Sequence, residues 1–155
     1  MQDKTERIFG STKTWKAVTS TAFRQWRADS HCKFLHGYAL TFTAEFEALT
    51  LDARNWVMDF GGFKDFKKYL EHNFDHVTVV ARDDPFLEWF KTGENLGTLQ
   101  LRIVDQVGCE AFANLVFAEL ESWLNSTESG RRVTLTKLEV AEHESNSAFV
   151  RVRRL

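Results

Sequence analysis

Cys32 stands between His31 and Lys33. A neighbouring cation raises the thiolate fraction of a thiol, and the thiolate is the reactive form. A small, half-buried packing residue is the plainer reading of an isolated cysteine. Asp75 and His76 are adjacent. A carboxylate that orients an imidazole makes it a better proton carrier, although such pairs also serve turns and helix ends. Glu142 lies on a stretch that otherwise reads as core. A carboxylate there needs donors, and a ligand with two amide-like N–H groups supplies them. Arg24, Arg27 and Lys33 suit a phosphate or a carboxylate, and a solvated polar loop explains them equally well. Cys109 and Glu110 open a helical pattern. A helix N-terminus lowers a thiol's pKa, but Cys109 reads as a packing residue.

These residues need elements to hold them. Residues 13–28 are rich in Thr, Val, Trp and Phe with partial alternation, which predicts a strand. Residues 38–49 alternate better: Leu40, Phe42, Ala44 and Phe46 share one face of a second long strand. A polar connector, Ala-Asp-Ser-His-Cys-Lys-Phe-Leu-His-Gly, joins the two. Residues 56–60 read as a short extended piece. Phe63, Phe66, Tyr69 and Leu70 have helical spacing, and residues 77–80 read as extended. Residues 84–97 read as an irregular or partly helical insertion, with Asp84 before Pro85 as a helix N-cap. Residues 99–107 have strand character. Residues 109–125 form an amphipathic helix with Phe112, Leu115, Val116, Leu120 and Trp123 on one side. In residues 131–143, Val133, Leu135, Lys137, Glu139 and Ala141 alternate with Leu138, Val140 and Glu142. A last strand covers 147–155. The expected fold is α+β: hairpins flank two helices packed on one face of an antiparallel sheet.

The chain has 155 residues, enough for one domain, 1–155, with a real core. Its net charge of −2 gives no bulk attraction to nucleic acid or membrane. No stretch approaches the ~20 apolar residues of a membrane span. The residues 1–15 have no apolar run, so no signal peptide is expected. Two cysteines make no disulfide framework, and a cytoplasmic location is the expectation. Aromatic side chains, 14% of the chain, suit flat ligand pockets and subunit interfaces.

Several runs, taken in order, resemble the 6-pyruvoyl/6-carboxy-tetrahydropterin synthase family over nearly the whole chain. They are Cys32-Lys33-Phe34-Leu35-His36-Gly37-Tyr38, then Asp59-Phe60, Asp75-His76, Cys109-Glu110 and Glu142. In the family a Cys lies four residues before a His-Gly-His, an Asp-Phe opens the first helix, and an Asp-His closes it. A Thr-x-Glu-Asn-like step opens the second helix, and a late strand carries the Glu that anchors the pterin. The resemblance implies a T-fold of strand, strand, helix, helix, strand, strand. It implies assembly into an oligomeric barrel, usually a hexamer of two trimers, with pterin sites at subunit interfaces. The implied substrate is 7,8-dihydroneopterin triphosphate or a related dihydropterin, and the implied activity is a carbon–oxygen lyase. Cys32 would be the base, Asp75 the orienter and His76 the relay, with Glu142 and Glu110 on the pterin. The alternative is a non-catalytic pterin- or purine-binding T-fold protein.

The family's zinc is held by one histidine of the first strand and two of the His-x-His. Here Arg27 or Trp26 is expected where the first belongs, and Tyr38 replaces the third, leaving His36. Arginine stays protonated and cannot ligate a cation, and three ligands are what a catalytic zinc wants. No zinc or other cofactor is therefore expected. Arg27 is expected near the cation's place, with Arg24 and Lys33 toward the substrate's charge. His31, His72 and His143 read as loop or surface residues.

Overall fold

The computed structural model describes residues 5–16 and 18–152. Eight strands and three helices follow one another as β1 Phe9–Trp15, β2 Ser20–Phe23, β3 His36–Tyr38, β4 Thr41–Ala48, α1 Lys64–Phe74, β5 Asp75–Ala81, α2 Leu87–Asn95, β6 Leu101–Val104, α3 Cys109–Ser126, β7 Thr134–His143 and β8 Asn146–Arg151. One sheet runs β1-β4-β7-β8, with every pairing antiparallel. The other runs β3-β2-β5-β6 and is mixed: β2–β3 is antiparallel, while β2–β5 and β5–β6 are parallel.

Each of the two expected long strands is therefore two strands, one in each sheet. The chain leaves the first sheet after Trp15 and enters the second at Ser20. It returns between Tyr38 and Thr41. The Thr19 hydroxyl donates to the Leu40 carbonyl at 2.9 Å and ties the two crossings together. Composition alone does not show this break, because both halves of each run are β-prone. Residues 24–28 lie in turns, so the expected strand over 13–28 ends at Phe23.

The first sheet follows its alternation. Phe42, Ala44, Phe46 and Ala48 of β4 are buried, while Thr41, Thr43, Glu45 and Glu47 are half-buried. The pattern on β7 changes parity. Val133 and Leu135 are buried, then Leu138 and Val140. The register shift opposite Glu45/Phe46 makes Thr136 an extra residue, and such a bulge lets both apolar pairs face the core. α3 packs that face with Phe112, Val116, Leu120 and Leu124 at helical spacing. α1 adds Phe66, Leu70 and Phe74.

Residues 84–97 hold a helix, α2, on its own small cluster of Val80, Phe90 and Leu101. Asp84 does not cap it: the residue before α2 is Phe86, and the helix has no side-chain cap. Asp84 instead turns inward, is almost fully buried, and grips Arg24 through two bonds of 2.8 Å. It also accepts from the Phe86 amide at 2.8 Å. Burial pushes its carboxyl up, but Arg24 and that amide outweigh the cost and hold it below the usual range. The strand expected over 147–155 is β8, and residues 153–155 lie outside the described ones. Among the described residues no helix is long and apolar enough to cross a membrane.

Candidate functional site

Cys32 sits on a single 3-10 turn, His31–Lys33, capped by the Ser30 hydroxyl on the Cys32 amide at 3.3 Å. Two bonds pin this turn to the end of β2. The Gln25 amide donates to the Cys32 carbonyl at 2.9 Å, and Arg24 Nη1 donates to the Lys33 carbonyl at 3.3 Å. The cysteine is half-buried.

Glu142 follows the core-facing row Leu138 and Val140 on β7. The β7–β8 register shifts between Ala141 and His143, which makes Glu142 the extra residue of a second bulge. A bulge re-aims a side chain, here toward the start of α3. The buried Cys109 thiol donates to the Glu142 carboxylate. Cys109 thus does more than fill space.

Tyr38 feels the charge of these groups. Burial raises its phenol above the usual range, then the charge of Glu142, then the Cys32 and Cys109 thiols. Cys32, Cys109 and Glu142 of one chain thus all lie within electrostatic reach of Tyr38. Gln25 closes the same region: its side-chain nitrogen lies 2.9 Å from where a Cβ on Gly108 would stand. Gly108 has φ +111°, a conformation that favours glycine, and it leads directly into Cys109.

The other predicted residues scatter. Asp75 and His76 form a pair, with Nδ1 3.0 Å from Oδ1. His76 is the extra residue of a bulge in the β2–β5 pairing and has φ 53°, a left-handed conformation uncommon away from glycine. Its ring is 78% exposed. It lines an outer groove of about 450 Å³ with Ser20, Gly37, Tyr38, Thr78 and Gln100. Cys32 and Glu142 do not line that groove. Glu110 is exposed in the first turn of α3. Lys33 is exposed, with its ammonium over the Phe34 ring at 5.4 Å.

The expected place of Arg27 needs correction. Its guanidinium is 65% exposed, pairs with Asp83 at 2.7 Å, and stacks on Trp26 at 4.1 Å. The Trp26 indole also donates to Asp83, at 3.2 Å. Neither faces His36. The residue that does is Phe23, directly opposite His36 in the β2–β3 register. Its ring lies 5.1 Å from His36 and 6.0 Å from Tyr38, and it is fully buried. Arg24 is also committed, to Asp84. Sequence reading overlooked Phe23 because it assumed that the strand ran on through position 27.

Zinc does not fit this donor set. Phe23 has no ligating atom. The Tyr38 phenol is shifted away from the phenolate that a metal needs. Among the described residues no group of three or more His, Cys, Asp or Glu stands together as a metal site. His36 Nδ1 is engaged by the Phe34 carbonyl at 2.7 Å, which leaves Nε2 as its one free ring nitrogen.

Burial drives the Cys109 thiol up from 9.0 to about 12, helped by the Glu142 and Glu110 charges and the bond to Glu142. A raised thiol pKa means that the unfolded chain loses its proton first. Folding stability should then fall as pH climbs from about 9 towards 12, by about 1.4 kcal/mol per pH unit from this group. Denaturant unfolding at pH 8 and near pH 10 measures the drop, and Cys109→Ala should lessen it. An equal drop in the variant would show that Cys109 is not the cause.

The sequence profile of the 6-pyruvoyl tetrahydropterin synthase family matches residues 14–153. No curated protein matches the chain. Among solved structures, the uncharacterized protein WS1659 from Wolinella succinogenes superposes with a TM-score of 0.81 at 19% identity, covering 95% of this chain and 99% of that one. The Caenorhabditis elegans 6-pyruvoyl tetrahydropterin synthase gives 0.64 at 16% identity, over 95% and 97% of the two chains. A catalytic-residue variant of the Plasmodium vivax 6-pyruvoyltetrahydropterin synthase gives 0.66 at 13% identity, over 93% and 97%. These likenesses establish the α+β fold of sheets and helices. With the profile spanning almost all of the sequence, the chain belongs to the 6-pyruvoyl tetrahydropterin synthase family.

Proposed function

We propose that this chain is a metal-independent dihydropterin lyase, with the pterin anchored on Glu142 and Cys32 as the base. The convergence of Glu142, Cys32 and Cys109 on Tyr38 carries this reading. The Glu142 carboxylate accepts from the pterin's amino group and a ring N–H. Cys109 occupies one of its lone pairs and fixes its direction. In this reading the Tyr38 hydroxyl, which feels the charge of both anchor and base, reaches the ligand's edge.

In a 7,8-dihydropterin the first side-chain carbon is bonded to a ring C=N. Cys32 thiolate takes a proton from that carbon. The C–H electron pair shifts into the ring, and the ring nitrogen takes the charge. The same pair then expels an oxygen leaving group from the neighbouring side-chain carbon. The ring C=N supplies the acidity, so this route asks for no cation. Asp75 holds His76 for proton return. His76 faces the outer groove that Tyr38 also lines, so the pair serves a ligand that reaches into that groove.

Two observations favour a second reading, a non-catalytic pterin- or purine-binding protein. They are the aromatic Phe23 opposite His36 and the exposure of His76 in a groove that neither Cys32 nor Glu142 lines. Incubation with dihydroneopterin in heavy water separates the two. The lyase reading expects deuterium at the side-chain carbon or a cleaved product, slowed about 100-fold or more by Cys32→Ser. Tight binding with neither exchange nor product, unaltered by Cys32→Ser, supports the binding protein.

A further inference from the structure

We infer that the site takes a dihydropterin whose side chain carries no phosphate, which rests on the pterin reading above and narrows it. A triphosphate needs cations or a cradle of amides at the far end of its ligand. Three cations stand on β2's end and the connector: Arg24, Arg27 and Lys33. Two of them already face a carboxylate, Arg24 a buried one and Arg27 an exposed one. Arg24 spends Nε and Nη2 on Asp84, both at 2.8 Å, and Nη1 on the Lys33 carbonyl at 3.3 Å. The Asp84 carboxylate is 1% exposed, so the pair is shielded from competing anions. Arg27 pairs with Asp83 at 2.7 Å and lies over the Trp26 ring at 4.1 Å. Of the three, Lys33 alone has no carboxylate partner among the described residues.

The aromatic group around His36 is also wrong for a polyanion. Phe23, His36 and Tyr38 pack as an aromatic group, and Phe23 meets Phe112 edge-on at 5.2 Å. A fully buried phenyl ring favours carbon and repels an unpaired charge. The connector from 28 to 35 contains no glycine for a backbone cradle and carries Asp29. Glu142 adds one more negative group to the site. Each of these features penalises phosphate, and none penalises a short, uncharged side chain.

The wild-type protein can be titrated with 7,8-dihydroneopterin and with 7,8-dihydroneopterin triphosphate, following its tryptophan fluorescence at low and high salt. The expected result is that the phosphate-free compound binds at least as tightly, with little salt dependence in either case. Binding of the triphosphate about tenfold tighter, weakening as salt is added, overturns the inference and leaves the pterin reading standing. Binding of neither compound overturns the pterin reading and the inference together.

Discussion

The double variant Phe23→His/Tyr38→His should bind one zinc ion per chain, and the native protein should bind none tightly. Position 23 lies directly opposite His36, and position 38 is two residues further along β3 on the same face. The three rings surround a common point, with centroids 5.1, 5.3 and 6.0 Å apart. Zinc–nitrogen bonds of about 2.1 Å in tetrahedral geometry put imidazole centroids about 5 Å apart. His36 is already oriented through Nδ1 by the Phe34 carbonyl, the kind of second contact that fixes a ligating histidine. Losing the buried Phe23 ring should cost about 2–4 kcal/mol in the metal-free variant. Zinc should recover much of that loss, so its addition should raise the variant's Tm and leave the native Tm unchanged. Elemental analysis after gel filtration measures the stoichiometry. A folded double variant that retains no more zinc than the native chain would mean that these positions do not share one site.

Glu142→Gln should weaken dihydropterin binding about 100-fold. The carboxylate offers two charged acceptors to two N–H donors, and such bonds contribute about 1.5–3 kcal/mol each. Glutamine keeps one acceptor and turns a donor toward the other N–H. A loss of about 3 kcal/mol corresponds to a little over 100-fold in Kd. The variant should fold normally, because Glu142 is half-buried at the end of its strand. Cys109→Ala should have a smaller effect in the same direction, because it removes the donor that fixes the carboxylate. Titration with dihydroneopterin gives the affinity, and a change below about threefold for Glu142→Gln would remove the anchor from the account.

Local pattern made the first sheet and the amphipathic helices legible. β4 alternates without interruption, and α3 has a continuous apolar face. Bulges were not legible. The parity change at Thr136 and the re-aiming of Glu142 depend on cross-strand pairing, which no single segment reveals. The transfer of both long strands from one sheet to the other was hidden for the same reason. The motif residues of the site could be named from sequence, but their grouping could not. Glu142 meets the start of α3 at Cys109, 33 residues away in the chain. The arginines were misread because their partners, Asp83 and Asp84, stand 56 and 60 residues away. Nothing near Arg24 or Arg27 in sequence announces that their charge is spent.

A crystal structure of the protein with bound dihydroneopterin would decide the matter. The ring's amino and N–H groups should lie within hydrogen-bond distance of the carboxylate at 142, and the sulfur at 32 should touch the first side-chain carbon, with the phenol of 38 between them. A pterin bound elsewhere, or one that meets the carboxylate while the sulfur faces a different cavity, would contradict the account.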